Sequence, residues 1–191
     1  PRATAENEEK WDHTFHLNGT VNLKWTPFKN LDIETRNSME SFFVNSRTWY
    51  TPTAHDNAYA NQLETYDRQI HQLTTSNTIT YQNVFGGYHS LRALVGQEAM
   101  RYTSSSISEY SPEVDPNMPY HNTADQTTTE ISQGLSAETM LSFFAIADYN
   151  YDNRYFLQAN FRRDGSSLFG ADNKWGNFWS ASASWNISNE Q

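Results

Sequence analysis

The sequence predicts an all-β fold, an antiparallel up-and-down transmembrane β-barrel segment of about seven strands. Three observations carry that expectation. Apolar and polar residues alternate with period two over long runs, the pattern of a sheet with one apolar face. The connections between these runs alternate short and long, the rhythm of a barrel with tight turns at one rim and long loops at the other. Aromatic residues make up 15% of the chain while hydrophobic residues reach only 37%, as expected when polar lumen positions dilute an apolar outer surface.

The first run, Phe15–Trp25, puts Phe15, Leu17, Gly19, Val21, Leu23 and Trp25 on one face and His16, Asn18, Thr20, Asn22 and Lys24 on the other. Its length is about twice that of a strand in a soluble sandwich. Thr26–Asn30 reads as a Pro-containing turn. A less regular strand, Leu31–Val44, sets Leu31, Ile33 and Thr35 against Asp32, Glu34 and Arg36. Residues 45–72 lose the period and predict a long loop, with a helical turn around Ala58–Arg68. Leu73–Phe85 and Leu91–Tyr102 follow as strands around a tight turn at Gly86–His89. Residues 103–135 are rich in Ser and Thr, contain Pro112, Pro116 and Pro119, and predict a second long loop. Strands at Ser136–Asn150, Tyr155–Asp164 and Trp175–Ser188 complete the set, with a turn at Tyr151–Arg154 and a third long loop at 165–174. The three long loops are expected on the extracellular side.

In this arrangement Trp25, Phe85, Tyr149, Tyr155 and Trp185 share one level, as an aromatic girdle at a membrane interface would. Arg163 lies eight residues beyond Tyr155, or about 26 Å along the strand, where an outward arginine snorkels to the opposite interface. An open seven-stranded sheet leaves two unpaired edges, which hydrocarbon does not tolerate. Residues 1–191 therefore read as part of a larger barrel domain.

Composition narrows the function. A net charge of −9 without a long basic run argues against nucleic acid as a partner. With no cysteine, disulfides, thiol catalysis and Cys-ligated zinc drop out together. No run of about 18 apolar residues predicts a transmembrane helix, which leaves a barrel open. The opening PRATAENEEKWD lacks the charged and apolar regions of a secretory signal, so either a leader was removed or the chain starts inside a longer one. His13 and His16 would face opposite sides of a strand, and no metal site is expected. Asp148-x-Asn150-x-Asp152 resembles the start of a calcium loop, but Asn153 and Ala159 stand where that loop needs Gly and Glu. G-x-S-x-G, P-loop and HExxH motifs do not occur, and neither catalytic residues nor a cofactor can be named.

One stretch carries a family pattern. The chain has Ser142, Phe143 and Phe144, then Tyr149, Tyr151, Arg154 and Tyr155. Arg162, Arg163, Asp164, Gly165, Ser166, Ser167, Phe169 and Gly170 follow in order, and then Trp175, Gly176, Phe178, Ser180, Ser182, Ala183, Trp185, Ile187, Ser188 and Glu190. The order and spacing resemble the SusC/RagA family of TonB-linked outer-membrane transporters. Asn22-Leu23-Lys24-Trp25 and His89…Leu91…Gly96…Glu98 resemble it more loosely. Ile146, Trp179 and Asn189 depart from residues usual in the family, an Arg, a Pro and an acid. The resemblance implies a parent of about a thousand residues with a 22-strand barrel and a plug, bacterial outer-membrane location, and energy from TonB through parts absent here. It further implies a SusD-like surface lipoprotein as partner and glycans or oligopeptides as cargo. The rival reading is a secreted soluble β-sandwich that binds carbohydrate.

Two sets of residues stand out as candidates. Arg162, Arg163, Asp164, Gly165, Ser166, Ser167, Phe169, Gly170, Trp175, Gly176 and Trp185 are expected to be structural. In particular, Asp164–Ser167 is expected to form a turn in which Asp and Ser close local hydrogen bonds and Gly supplies positive φ. Trp49, Tyr50, Tyr59, Tyr66, Tyr110 and Tyr120 are loop aromatics suited to ligand or partner contact. His16, Asn22, Glu34, Arg36, Gln158, Asn160 and Arg162 are expected to face the lumen.

Overall fold

In a computed structural model, which describes residues 8–51, 61–170 and 174–190, seven antiparallel strands follow one another in a single sheet. They are β1 (Glu8–Phe28), β2 (Leu31–Tyr50), β3 (Leu63–Phe85), β4 (His89–Ser111), β5 (Glu130–Tyr151), β6 (Tyr155–Ser166) and β7 (Trp175–Trp185). A β-sandwich needs two sheets packed face to face, and the described strands make one.

Two of the short connections are built from residues that tolerate left-handed backbone. Gly86 and Gly87 have φ of 57° and 79° between β3 and β4, and Asp152 and Asn153 have φ of 50° and 54° between β5 and β6. Positive φ at successive positions matches the twist of a hairpin. Backbone bonds tie these turns to their neighbours: Asp152 N–H donates to Tyr88 O at 2.8 Å and Asn186 N–H to Arg154 O at 2.7 Å.

Several expected boundaries are corrected. The loop at 45–72 shrinks from both sides, because β2 continues to Tyr50 and β3 begins at Leu63. The helical turn around Ala58–Arg68 is replaced by strand from Leu63 onward, and its earlier part lies outside the described residues. The loop at 103–135 narrows to 112–129, because β4 runs to Ser111 and β5 starts at Glu130. Pro27 and Phe28 end β1 instead of turning, Ser166 ends β6, and a 3-10 turn at Ile187–Asn189 replaces the end of the last strand. For the strands that run further than expected the physical reason is the same. Ladder hydrogen bonds use the backbone, so a segment with polar side chains on both faces, such as Thr103–Tyr110, pairs without any hydrophobic period.

The chain packs as two units. Unit 1 comprises Pro1–Asn18, Glu40–His71 and Thr103–Ala137. Among the described residues the buried apolar side chains are Leu63, Val114 and Ala124, all in this unit, with Trp49 packed against them. The 112–129 connection is a folded element. Val114 N–H donates to Asn61 O at 2.9 Å, and Arg47 Nη2 donates to Pro119 O at 2.7 Å. Thr123 Oγ1 donates to Tyr120 O at 2.7 Å and accepts from Asp115 N–H at 3.1 Å.

Unit 2 comprises Gly19–Met39, Gln72–Tyr102 and Glu138–Gln191. Its register is explicit across β5, β6 and β7: Phe143, Arg163 and Asn177 lie side by side, as do Ala147, Ala159 and Ala181, and Tyr151, Tyr155 and Trp185. Period-two geometry puts these odd-numbered residues on one face and their even-numbered neighbours on the other.

Candidate functional site

Across β5–β7 the odd-numbered face of unit 2 is largely apolar and uncovered. Leu157 is 52% exposed, Phe161 46%, Trp179 81% and Trp185 55%, so these side chains are not the inside of a closed core. Aromatic ladders bound the band. At one end the rings of Tyr151 and Tyr155 stack at 6.3 Å, as do those of Tyr155 and Trp185. At the other, Phe143 stacks on Trp175 at 6.3 Å and the Arg163 guanidinium lies 5.0 Å from the Trp175 ring centre. Between the ladders run Ala147, Ala159, Ala181, Leu157 and Phe161. Aromatic residues with polar tips suit the two interfaces of a bilayer, and a cation above a ring keeps its charge near water.

The even-numbered face is polar and internally paired. Arg162 Nε donates to Asp164 Oδ1 at 2.7 Å, and its Nη2 donates to Ser142 Oγ at 3.0 Å and to Glu98 Oε1 at 3.4 Å. The Phe144 ring lies 5.7 Å from the same guanidinium. Lower on the strands, Asp148 accepts from Arg92 Nη1 at 3.0 Å and from Gln158 Nε2 at 2.8 Å. Asn160 Nδ2 donates to Ser180 Oγ at 3.1 Å. Opposite-charge neighbours across strands hold such a face in register.

The RRDGSS run thus divides its work. Arg162 and Asp164 serve the even face and Arg163 the odd face. Gly165 stays in β6 with extended backbone, which corrects the expected positive φ: the positive-φ glycines described are Gly86 and Gly87. What requires glycine at 165 is the Trp175 indole, because a Cβ there would lie 2.8 Å from its Cε3. Ser167 closes the loop onto β5, its N–H donating to Thr139 O at 2.9 Å and its Oγ accepting from Thr139 N–H at 2.9 Å. Phe169 is exposed, and a Cβ on Gly170 would meet nothing. A Cβ on Gly176 would lie 3.1 Å from the Phe178 ring.

Unit 1 gathers some of the loop aromatics and disperses others. Tyr66 and Tyr110 line one cavity of about 340 Å³ together with Ser46, Thr48, Glu109 and Glu130. Trp49 instead packs on Leu63, Val114 and Ala124, with its indole nitrogen buried. Tyr50 contributes backbone bonds to Gln62 and Asn61. Tyr120 is exposed on the 112–129 segment, and Tyr59 lies outside the described residues.

The group beside this cavity that sequence reasoning did not single out is His121. Its Nδ1 is 2.8 Å from Ser111 Oγ, its Nε2 is 2.9 Å from Thr65 Oγ1, and Glu109 Oε2 is 3.6 Å away. Burial holds its pKa below the ordinary histidine value, assisted by Arg47 and opposed by Glu109. No sequence spacing announces it, because its side-chain partners come from β3 and β4.

Comparison with known proteins places this geometry. The chain is related to the TonB-dependent receptor P39 of Formosa agariphila, 27% identical over 123 residues, which is 63% of this chain and 12% of that protein. The TonB-dependent receptor SusC of Bacteroides thetaiotaomicron is 42% identical over 66 residues, 35% of this chain and 7% of SusC. Among solved structures, the RagAB peptide transporter superposes on 97% of this chain with a TM-score of 0.86 at 21% identity, using 21% of the matched chain. No family model matches. The sheet therefore has the fold of the RagAB barrel wall, and this chain spans about an eighth of the first relative's length.

Proposed function

We propose that this chain is a wall segment of a SusC/RagA-like, TonB-dependent importer in the bacterial outer membrane. In this reading residues 1–191 are part of its barrel domain. The observation that carries it is the uncovered apolar face of β5–β7, bounded by the Tyr151–Tyr155–Trp185 ladder and the Arg163–Trp175 pair. Tyr155 and Arg163 are about 26 Å apart along the strand, close to the apolar band of outer-membrane barrels once tilt is allowed for. The odd face meets lipid. The even face, with Arg162 and Asp148 at its centre, lines the lumen and meets plug or water.

The cargo is a glycan or an oligopeptide, a SusD-like surface lipoprotein is the partner, and TonB supplies energy through other parts of the polypeptide. The relation to SusC and the fold of the RagAB peptide transporter support both cargo classes. The chain performs no covalent chemistry of its own. The 112–129 segment and the connections near 51–62 and 167–174 are extracellular. The cavity between Tyr66 and Tyr110 is the contact we assign to cargo or lipoprotein, since aromatic rings beside carboxylates offer stacking and hydrogen bonding together.

The test uses the full-length polypeptide that carries this segment. It is expected in the outer-membrane fraction, extracted only by detergent, encoded with an upstream plug and beside a SusD-like gene, and required for growth on an oligosaccharide or peptide source. Recovery as a soluble monomer without detergent, as a β-sandwich would behave, overturns it.

A further inference from the structure

Most cations of this acidic chain are held by an acceptor. Among the described residues, Lys10, Lys24, Arg36, Arg92, Arg154 and Arg162 pair with carboxylates, and Arg47 and Arg68 donate to Pro119 O and Ser104 Oγ. Four described cations have no such oxygen acceptor, whether carboxylate, carbonyl or hydroxyl: Lys29, Arg101, Arg163 and Lys174. Three of these four gather at one place. Arg101 and Lys174 line a groove of about 550 Å³ on unit 2, and Arg163 lies over Trp175, which forms one of its walls. The floor is apolar, with Leu73 and Leu141 beside Trp175, and Thr75 and Ser167 supply hydroxyls at its margin. The acids of the same strands do not neutralise it. Glu98, Glu138 and Asp164 occupy even-numbered positions, and Glu98 and Asp164 are already bound to Arg162.

We propose that this groove binds a phosphorylated lipid of the outer membrane, with the headgroup phosphate on Arg101, Arg163 and Lys174 and acyl chains descending over Phe143 and Phe161 into the apolar band. The inference rests on the outer-membrane reading above, which puts the odd face against lipid. Three unneutralised cations would repel one another on a face otherwise built to avoid charge, and an anion from the surroundings removes that cost. Guanidinium and ammonium groups satisfy phosphate oxygens with charge-assisted hydrogen bonds. The groove spans β3 to β7, four strand spacings or about 19 Å, which suits a headgroup with attached chains better than a small free anion.

The experiment is native mass spectrometry of the full-length protein in neutral detergent, titrated with dioleoylphosphatidic acid or with dioleoylphosphatidylcholine. Wild type is expected to retain phosphatidic acid in preference to phosphatidylcholine, and millimolar inorganic phosphate is expected not to displace it. The variant Arg101→Gln/Arg163→Gln/Lys174→Gln is expected to bind phosphatidic acid about a hundredfold more weakly, at the energy typical of one surface cation each. The double variant Arg101→Gln/Lys174→Gln, which keeps the Arg163–Trp175 contact, is expected to lose about tenfold or more. Undiminished binding by both variants, equal affinity for the two lipids, or displacement by free phosphate overturns the proposal. Outer-membrane fractionation of the same variants separates the two readings: a protein correctly inserted yet indifferent to phosphatidic acid sinks the lipid site alone, and a protein absent from the membrane in wild type sinks both.

Discussion

Gly165 of β6 and Trp175 of β7 are register partners, and the indole lies where a side chain on residue 165 would start, 2.8 Å from the position of a Cβ. The ring shields a strand glycine from its surroundings, and the Arg163 guanidinium then stacks on that ring. Gly165→Ala is expected to displace Trp175 and destabilise the full-length barrel by about 1–3 kcal/mol. Urea unfolding in lipid vesicles checks this. Trp175→Ala should remove most of the added cost in the double variant, and strictly additive effects would refute the contact.

Gly96 of β4 and Phe144 of β5 make a closer approach on the opposite face. A Cβ on Gly96 would lie 2.3 Å from Phe144 Cζ. Gly96→Ala is therefore expected to be at least as damaging as Gly165→Ala, again about 1–3 kcal/mol. Phe144→Leu should relieve it, read from the urea midpoint of the double variant.

Ala181 stands midway between the two aromatic ladders, in register with Ala159 on β6. On the proposed lipid face Ala181→Arg is expected to cost about 2–4 kcal/mol, the value for a cation at mid-bilayer. Asn160→Arg, on the polar face of β6, should change folding in vesicles little. Equal tolerance of the two substitutions would contradict the assignment of faces.

Arg162 has four partners, and they are unequal. The Asp164 contact is short at 2.7 Å, while Glu98 is at 3.4 Å. Arg162→Met should destabilise the barrel by about 1.5–3 kcal/mol, the range for hydrogen bonds to charged groups. A double-mutant cycle is expected to show stronger coupling with Asp164→Asn than with Glu98→Gln.

His121 makes the 112–129 segment pH-dependent. Its pKa in the folded state is lowered, chiefly by burial, so the folded state binds its proton less readily than the unfolded chain does. The stability it contributes is present above the ordinary histidine value of about 6.5 and is lost as pH falls through the lowered folded value. Protection of 112–129 from hydrogen exchange, corrected for intrinsic rates, should drop between pH 7.5 and 5.5 in wild type and stay level in His121→Gln. Asp125 does not confuse the test, since the N–H and hydroxyl of Thr127 hold its carboxyl below the usual range and it stays ionised throughout.

Strands were legible in the sequence where one face had to be apolar. Phe15–Trp25 and Tyr155–Asp164 alternate because the two faces of the sheet carry different side chains, one apolar and one polar, and both lie within observed strands. The extensions Leu63–Gln72 and Thr103–Ser111 gave no such signal, being polar on both faces, and their pairing is visible only once the neighbouring strand is in place. The turns at Gly86–Gly87 and Asp152–Asn153 were readable because few residues accept their backbone. Of the loop aromatics, nothing local distinguished Trp49, which packs on the small core, from Tyr66 and Tyr110, which share a cavity.

By itself the sequence determined the fold class and the family pattern, since alternation, turn residues and the RRDGSS spacing are properties of short segments. Tertiary structure alone decided why Gly165 is glycine, which partners hold Arg162 and His121, and that Arg101, Arg163 and Lys174 converge. Those facts depend on strand register, which brings together residues from β3 to β7 that are far apart in the chain. Register is set by the pairing of whole strands, so no single segment encodes it.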